Sequence, residues 1–249
     1  MDLGLAGRRA AVAASSAGLG LAVAEALAGE GCTVVICGRD PDRLSRAAEG
    51  IPGTIPVLAD VSDAAGAEAF VRDARDALGE GIDILVVNAG GPPDGGYESF
   101  EPADYLEAVH LNLMSVVAMC YAVTGEMRER HWGRILAITS VTVRHPLPGL
   151  ILSNTARAGA TAFLKTLATE LAADGVTVNS IQPGLHDTAR LHSVWGEDLP
   201  AVVARRVPAR RLGDAGDFGR VAALLCSEWA GYVTGVAVPV DGGLAQGLQ

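Results

Sequence analysis

Short β-rich apolar runs recur along the chain, separated by Ala-rich stretches of helical length. The runs occupy 9–14, 33–37, 55–58, 84–87, 135–139, 176–181 and 236–240, and the helical stretches 19–28, 41–48, 64–78, 102–130, 155–173 and 215–229. A strand that is apolar at every position, rather than at alternate ones, belongs to a sheet covered on both faces. Seven such runs with intervening helices predict an α/β fold: a single doubly wound, Rossmann-type domain over 1–249, with a seven-stranded parallel sheet and helices on both faces.

In such sheets the ligand lies beyond the carboxyl ends of the strands, near the point where strand order reverses. Segments 13–20, 38–39, 60–61, 88–91, 140–145 and 183–188 each place small or polar residues directly after an apolar run. Six loops agreeing in this way locate the candidate site more firmly than any one motif.

Composition narrows the partners. Of 249 residues, 49% are apolar and only 4% aromatic, with 31 glycines, which suits close helix–sheet contacts and excludes a disordered chain. The net charge is −10 with no Lys/Arg block, which argues against nucleic acid and against an anionic membrane surface. Cys32, Cys37, Cys120 and Cys226 form no Cys-x-x-Cys pair and have no His at metal-ligand spacing, so no metal site is expected. Cys32 and Cys37 flank an apolar run and read as buried free thiols, and a reducing compartment fits best. Arg8-Arg9 ahead of 10–24 has the outline of a twin-arginine signal, but that run is rich in Ala, Ser and Gly and is stopped by Glu25. Strand, turn and helix explain it better. No uninterrupted run reaches the roughly 18 apolar residues of a membrane span. The expected location is cytoplasmic.

Ala13-Ala14-Ser15-Ser16-Ala17-Gly18-Leu19-Gly20 joins the first strand to the first helix. Glycines there allow close backbone approach, and the helix start offers free N–H groups to a diphosphate. Arg39 ends the second strand after Gly38, which occupies the position where an acidic residue would accept from a free ribose 2′-hydroxyl. An Arg there can fork onto a 2′-phosphate, which favours NADP(H) over NAD(H). The plainer alternative pairs Arg39 with Asp40 or Asp42 in solvent. Asp60, with Val61, ends the third strand where it can accept from the adenine amino group.

With these residues in view the chain resembles the short-chain dehydrogenase/reductase family over nearly its full length. The opening loop is similar to Thr-Gly-x-x-x-Gly-x-Gly, Asn88-Ala89-Gly90 to the Asn-Ala-Gly motif, and Pro183-Gly184 with Thr188 to Pro-Gly-x-x-x-Thr. Asn112, Ser140, Tyr232-Val233-Thr234-Gly235 and Val240-Asp241-Gly242-Gly243 complete the likeness. The resemblance implies that Gly18, Leu19 and Gly20, with Ala14, Ser15 and Ser16, surround the diphosphate and ribose. It further implies that Asn88, Ala89 and Gly90 line the adenine ribose side, and that Pro183, Gly184 and Leu185 lie against the nicotinamide with Thr188 nearby. Asn112 would hold a water, Ser140 would be catalytic, and the long helices would build a homotetramer.

Two departures stand out. Ala13 and Ala14 replace the family's Thr and first Gly. Thirteen residues after Ser140, where the family has Tyr-x-x-x-Lys, stands Ser153-Asn154-Thr155-Ala156-Arg157. This resembles a divergent branch named by analogy as 3-oxoacyl-carrier-protein reductases. The family's Tyr is a useful acid because a nearby cation lowers its pKa, whereas a Ser hydroxyl is a much weaker acid and Arg157 stays protonated. Ser140 and Ser153 are then expected to bind the reacting oxygen, Arg157 to order the nicotinamide ribose, and water to bring the proton. His145 and His186 are the titratable alternatives, while Tyr97 and Tyr105 lie near the fourth strand's loop. Segment 185–207 carries enough apolar residues for a mobile lid, opposite a Pro/Gly rim at 91–96. The expected activity is reduction of a moderately apolar carbonyl substrate with a non-standard proton relay. The alternatives are non-redox chemistry in the same pocket (dehydration, isomerisation or cyclisation) and a catalytically inactive binding subunit.

Overall fold

The computed structural model describes residues 2–247. The strands are β1 (Arg9–Val12), β2 (Thr33–Gly38), β3 (Thr54–Leu58), β4 (Ile84–Val87), β5 (Gly133–Ile138), β6 (Val176–Pro183) and β7 (Ala237–Val240). They form one parallel sheet in the order β3-β2-β1-β4-β5-β6-β7. The order reverses between β1 and β4, where Ala10 pairs with Val34 on one side and Ile84 on the other. That reversal opens a crevice at the carboxyl edge. The central strands β4 and β5 are buried at every position, whereas the two edge strands β3 and β7 are only half-covered. Pro56 fits β3 because an edge strand has one row of N–H groups unpaired.

Helices cover both faces. On one, α1 (Gly18–Gly29), α2 (Pro41–Gly50) and α9 (Ala215–Cys226) bury Leu27, Leu44 and Phe218. Gly219 lets α9 approach α1, since a Cβ there would strike the Ala22 carbonyl oxygen. On the other face, α3 (Ala64–Leu78), α5 (Ser115–Glu129) and α6 (Ile151–Leu171) bury Phe70, Met119 and Leu164. Asp40, Asp63 and Asp214 accept a backbone N–H at the starts of α2, α3 and α9, the expected device for the free donors of a first turn. The four cysteines are buried and unpaired, and burial pushes each thiol up to about 12.

Three elements differ from the sequence expectations. The predicted helix over 102–130 is α4 (Pro102–Val109) and α5 joined through one π-helical turn, His110–Met114. As a rod, Pro102–Glu129 is long and apolar enough by length and composition to cross a bilayer, which a count of uninterrupted apolar residues does not reveal. One of its faces belongs to the core. α6 starts at Ile151, four residues before the predicted start. The lid segment contains α7 (Ala189–Trp195) and α8 (Leu199–Arg206), whose Leu199 and Val203 pack with Leu185, Leu191 and Trp195 in a cluster of their own.

Candidate active site

The floor of the crevice is built where β1 ends. Ser15 donates through Oγ to the Val12 carbonyl at 2.6 Å and accepts from the Cys37 N–H at 3.1 Å. Its hydroxyl therefore staples β1 to β2, and its side chain is fully buried. Ala14 next to it adopts φ 45°, a left-handed backbone that disfavours a Cβ. Asn88, just past β4, donates through Nδ2 to the Ala14 carbonyl at 3.1 Å, across the point where strand order reverses. Gly20 packs beneath that bond, and a Cβ there would stand 2.7 Å from the Ala14 oxygen and 2.8 Å from Asn88 Nδ2. Gly18, at φ 61°, turns the chain into α1. The residue before it, Ala17, offers no side-chain cap, so the first N–H groups of α1 have no side-chain acceptor at that helix start.

Two cavities share this floor. The first, about 970 Å³, lies outside β2 and β3 and is lined by Ser16, Gly38, Arg39, Arg43, Asp60 and Val61. Arg39 is exposed and its Nη1 lies 4.0 Å from Asp60 Oδ2, so its nearest carboxylate is neither Asp40 nor Asp42. Arg43, one turn into α2, donates through Nε to Ser16 Oγ at 3.3 Å. Gly38 is also a spatial requirement, because a Cβ there would lie 2.6 Å from Ser16 Oγ. Arg43 is a site residue that sequence reasoning missed. Its signal was the Asp40 cap, which sets the first turn of α2 against the loop.

The second cavity, about 730 Å³, lies outside β4, β5 and β6. It is lined by Asn88, Ala89, Gly90, Ser140, Ser153 and Arg157, with Pro183, Gly184, Leu185 and Thr188 on the β6 side. Ser140 caps the short turn Val141–Val143, its Oγ accepting from Thr142 N at 3.1 Å and Thr142 Oγ1 at 3.0 Å. Ser153 accepts from Arg157 Nε at 3.2 Å. Both serines thus act as acceptors, and each keeps its own O–H proton for a further partner. Arg157 also donates through Nη1 to the carbonyls of Ile138 at 3.2 Å and Thr139 at 3.4 Å, and through Nη2 to Gly90 at 3.4 Å. Burial, then the like charge of Arg190, pushes its pKa down to about 10, so it remains a cation at neutral pH.

Asn112 sits in the π-helical turn behind Gly90. Its Nδ2 donates to the same Gly90 carbonyl at 2.9 Å, while its buried Oδ1 has no partner among the described residues. It borders neither cavity directly. The rims come from opposite halves of the chain: Arg190 of α7 donates through Nη2 to Asp94 Oδ1 and to the Pro92 carbonyl, both at 3.4 Å.

Neither histidine is placed as a proton donor. His186 is 4% exposed, stands edge-on to Phe218 with ring centroids 5.0 Å apart, and is pushed toward its neutral form by burial. His145 is exposed and outside both cavities. Tyr97 is exposed, and Tyr105 packs on Ala108, Leu152 and Ala156. The titratable groups lining the second cavity are Asp94, Arg157, His186, Arg190 and Arg206. No Tyr or Lys is among them.

Comparison with known proteins places this arrangement. Residues 13–245 match the family described as Enoyl-(Acyl carrier protein) reductase. The chain is 35% identical to nodulation protein G of Azospirillum brasilense, covering 94% of this chain and 97% of that protein. It is 33% identical to the 3-oxoacyl-[acyl-carrier-protein] reductase FabG of Aquifex aeolicus, covering 98% and 100%. Among solved structures, L-sorbose reductase from Gluconobacter frateurii, complexed with NADPH and L-sorbose, superposes with a TM-score of 0.92 at 33% identity over the whole of both chains. The match across 13–245, together with a parallel sheet whose strand order reverses beneath a glycine-lined crevice, assigns the chain to the short-chain dehydrogenase/reductase family.

Proposed function

We propose that the chain is an NADP(H)-dependent reductase of a carbonyl compound, in which two serine hydroxyls and an arginine replace the family's Tyr and Lys. The reading rests on one observation: Ser140 and Ser153 both accept hydrogen bonds from the protein, and so both can donate to a substrate oxygen. Similarity to reductases, one of them solved with NADPH, supports the redox class.

The crevice suits the cofactor. Gly90 is open above, since a Cβ there would meet nothing within 4 Å, and the uncapped start of α1 offers Gly18, Leu19 and Gly20 N–H groups to a diphosphate. Ala14 and Ser16 border it, and Arg39 and Arg43 receive a 2′-phosphate. Asp60 and Val61 face the adenine, and Asn88 and Ala89 its ribose. Pro183, Gly184, Leu185 and Thr188 hold the nicotinamide side. Ser15 is excluded from this set because its hydroxyl is engaged inside the sheet. A guanidinium has five N–H donors, and the bonds of Arg157 to Ser153 and three carbonyls leave one for a ribose hydroxyl.

When bound, NADPH supplies the hydride. Ser140 and Ser153 hold the carbonyl oxygen and stabilise the charge that develops on it, and the Arg157 cation strengthens the Ser153 donor through Nε. The proton comes from water. The unpartnered Asn112 Oδ1 is suited to hold such a water behind Gly90. α7 and α8 act as the lid, latched by Arg190 to Asp94. Exposed Leu106 and Tyr121 on the α4–α5 rod, with Trp229, Tyr232 and Val236 near β7, support a homotetramer built on those two faces. The four buried thiols fit a cytoplasmic location.

Titration with NADPH and NADH, followed by a ketone panel, tests the reading. Selective NADPH binding with ketone-dependent oxidation is expected, and absence of binding to either nucleotide overturns it. The lack of a titratable acid beside the serines favours, as a second reading, non-redox chemistry in the same pocket. Turnover without net NADPH oxidation would establish it.

A further inference from the structure

The second cavity carries a charge imbalance, and one of its cations, Arg206, takes no part in the cofactor contacts proposed above. In a chain of net charge −10 it is lined by three guanidinia and a single carboxylate, Asp94, which Arg190 engages. Arg157 is bonded to neutral oxygens at the cavity's inner end. Arg206, on the lid, has no ion pair among the described residues. Its guanidinium lies 5.5 Å from the centroid of the Trp195 ring, and Leu191, Val194 and Val202 line the same cavity. A cation at the C-terminal end of α8 favours the helix dipole wherever its side chain points. Arg205, at the same helix end, already does so from an exposed position, whereas Arg206 is half-buried and turned toward the cavity.

We infer that the substrate is an amphiphilic anion, with an apolar body packed beneath the lid and a carboxylate received by Arg206. A half-buried guanidinium beside apolar side chains discriminates a carboxylate from its neutral isostere through charge-assisted, bidentate hydrogen bonds. The inference rests on the reductase reading for the position of the carbonyl, and names the far end of the same substrate.

The test compares octanoate with octanamide by calorimetry on the NADPH-loaded chain. Octanoate is expected to bind about tenfold tighter, equivalent to about 1.4 kcal/mol. Arg206→Gln should bring the two ligands to parity, while Arg205→Gln leaves the preference intact. Equal binding by the unsubstituted chain, or a preference that survives Arg206→Gln, overturns the assignment. NADPH uptake is measured first on each protein. A chain that takes up no NADPH sinks the reductase reading, and the octanoate comparison on the cofactor-free protein then decides the role of Arg206 by itself.

Discussion

Arg157 donates through Nε to Ser153 Oγ at 3.2 Å, one helical turn away on α6. The direction of that bond sets the chemistry of the site. With the lone pair of Ser153 directed to a group that is a cation at neutral pH, its proton is, on the proposed reading, the part left to meet a substrate oxygen. The pair offers a strengthened donor and no titratable acid.

Ser153→Ala is therefore expected to lower turnover about a hundredfold, the scale of losing one oxyanion donor, with little change in NADPH affinity. The rate should be flat through neutral pH. It should fall as pH rises through about 10, where Arg157 loses its proton and with it the polarisation of Ser153. A pH–rate profile with a limb between about pH 6 and 8 would point instead to a titrating acid.

Ser153→Tyr combined with Arg157→Lys rebuilds the family's Tyr-x-x-x-Lys spacing on the same turn of α6. Ketone reduction should rise in the double variant. No gain in steady-state rate would mean that the pocket is shaped for a different reaction.

Arg39→Ala and Arg43→Ala should each weaken NADPH binding about tenfold to a hundredfold, the loss of one hydrogen bond to a charged group. NADH, which lacks the 2′-phosphate, should be almost unaffected. Equal losses for both nucleotides, read by nicotinamide fluorescence, would remove the 2′-phosphate assignment.

Ala14 holds φ 45° where a left-handed residue costs an L side chain about 1–2 kcal/mol. Glycine relieves that strain but frees the unfolded chain by about 0.4–1 kcal/mol. Ala14→Gly should raise the stability by roughly 0.5–1 kcal/mol in denaturant unfolding. A loss of stability would show that the Ala14 methyl makes packing contacts worth more than the strain.

At the opposite end of the sheet, Asp83 accepts from Arg9 Nη2 at 2.8 Å and Arg9 Nε at 2.9 Å, with Arg130 at 3.8 Å. Burial pushes this carboxyl up, but the Arg9 bonds and the two cations outweigh it and hold it below the usual range. Its stabilisation is complete above the unfolded value near 3.9 and is lost as pH falls through the lower folded value. Asp83→Asn should cost about 2–3 kcal/mol at pH 7, and the gap should close only below about pH 4.

The sheet was legible because most of its strands read as apolar runs without strict alternation, the pattern of a sheet covered on both faces. The loops that line the crevice were legible for a related reason: small residues directly after an apolar run mark a strand end. Less could be read where the chain carries no local signal. The start of α6 has no side-chain cap at Leu150, so Ile151 and Leu152 look like loop residues. The π-helical turn at Asn112 has no composition of its own. His186 looked like a substrate-facing group because its loop borders the cavity, yet the ring stands edge-on to Phe218 of α9, a choice made by tertiary packing. Arg43 was hidden for the opposite reason, since an exposed Arg on a polar helix reads as solvated until Ser16 is seen beside it.

The Asn88–Ala14 bond, wedged from below by Gly20, joins strand ends 74 residues apart and leaves no slack between them. The rims above are tied through one side chain, Arg190, which pairs with Asp94 and bonds the Pro92 carbonyl. On the proposed reading, nucleotide choice and substrate choice rest on separable modules. A relative's segment could replace 189–206 wholesale and bring its own substrate preference, while the discrimination between the two nicotinamide nucleotides stayed with the host.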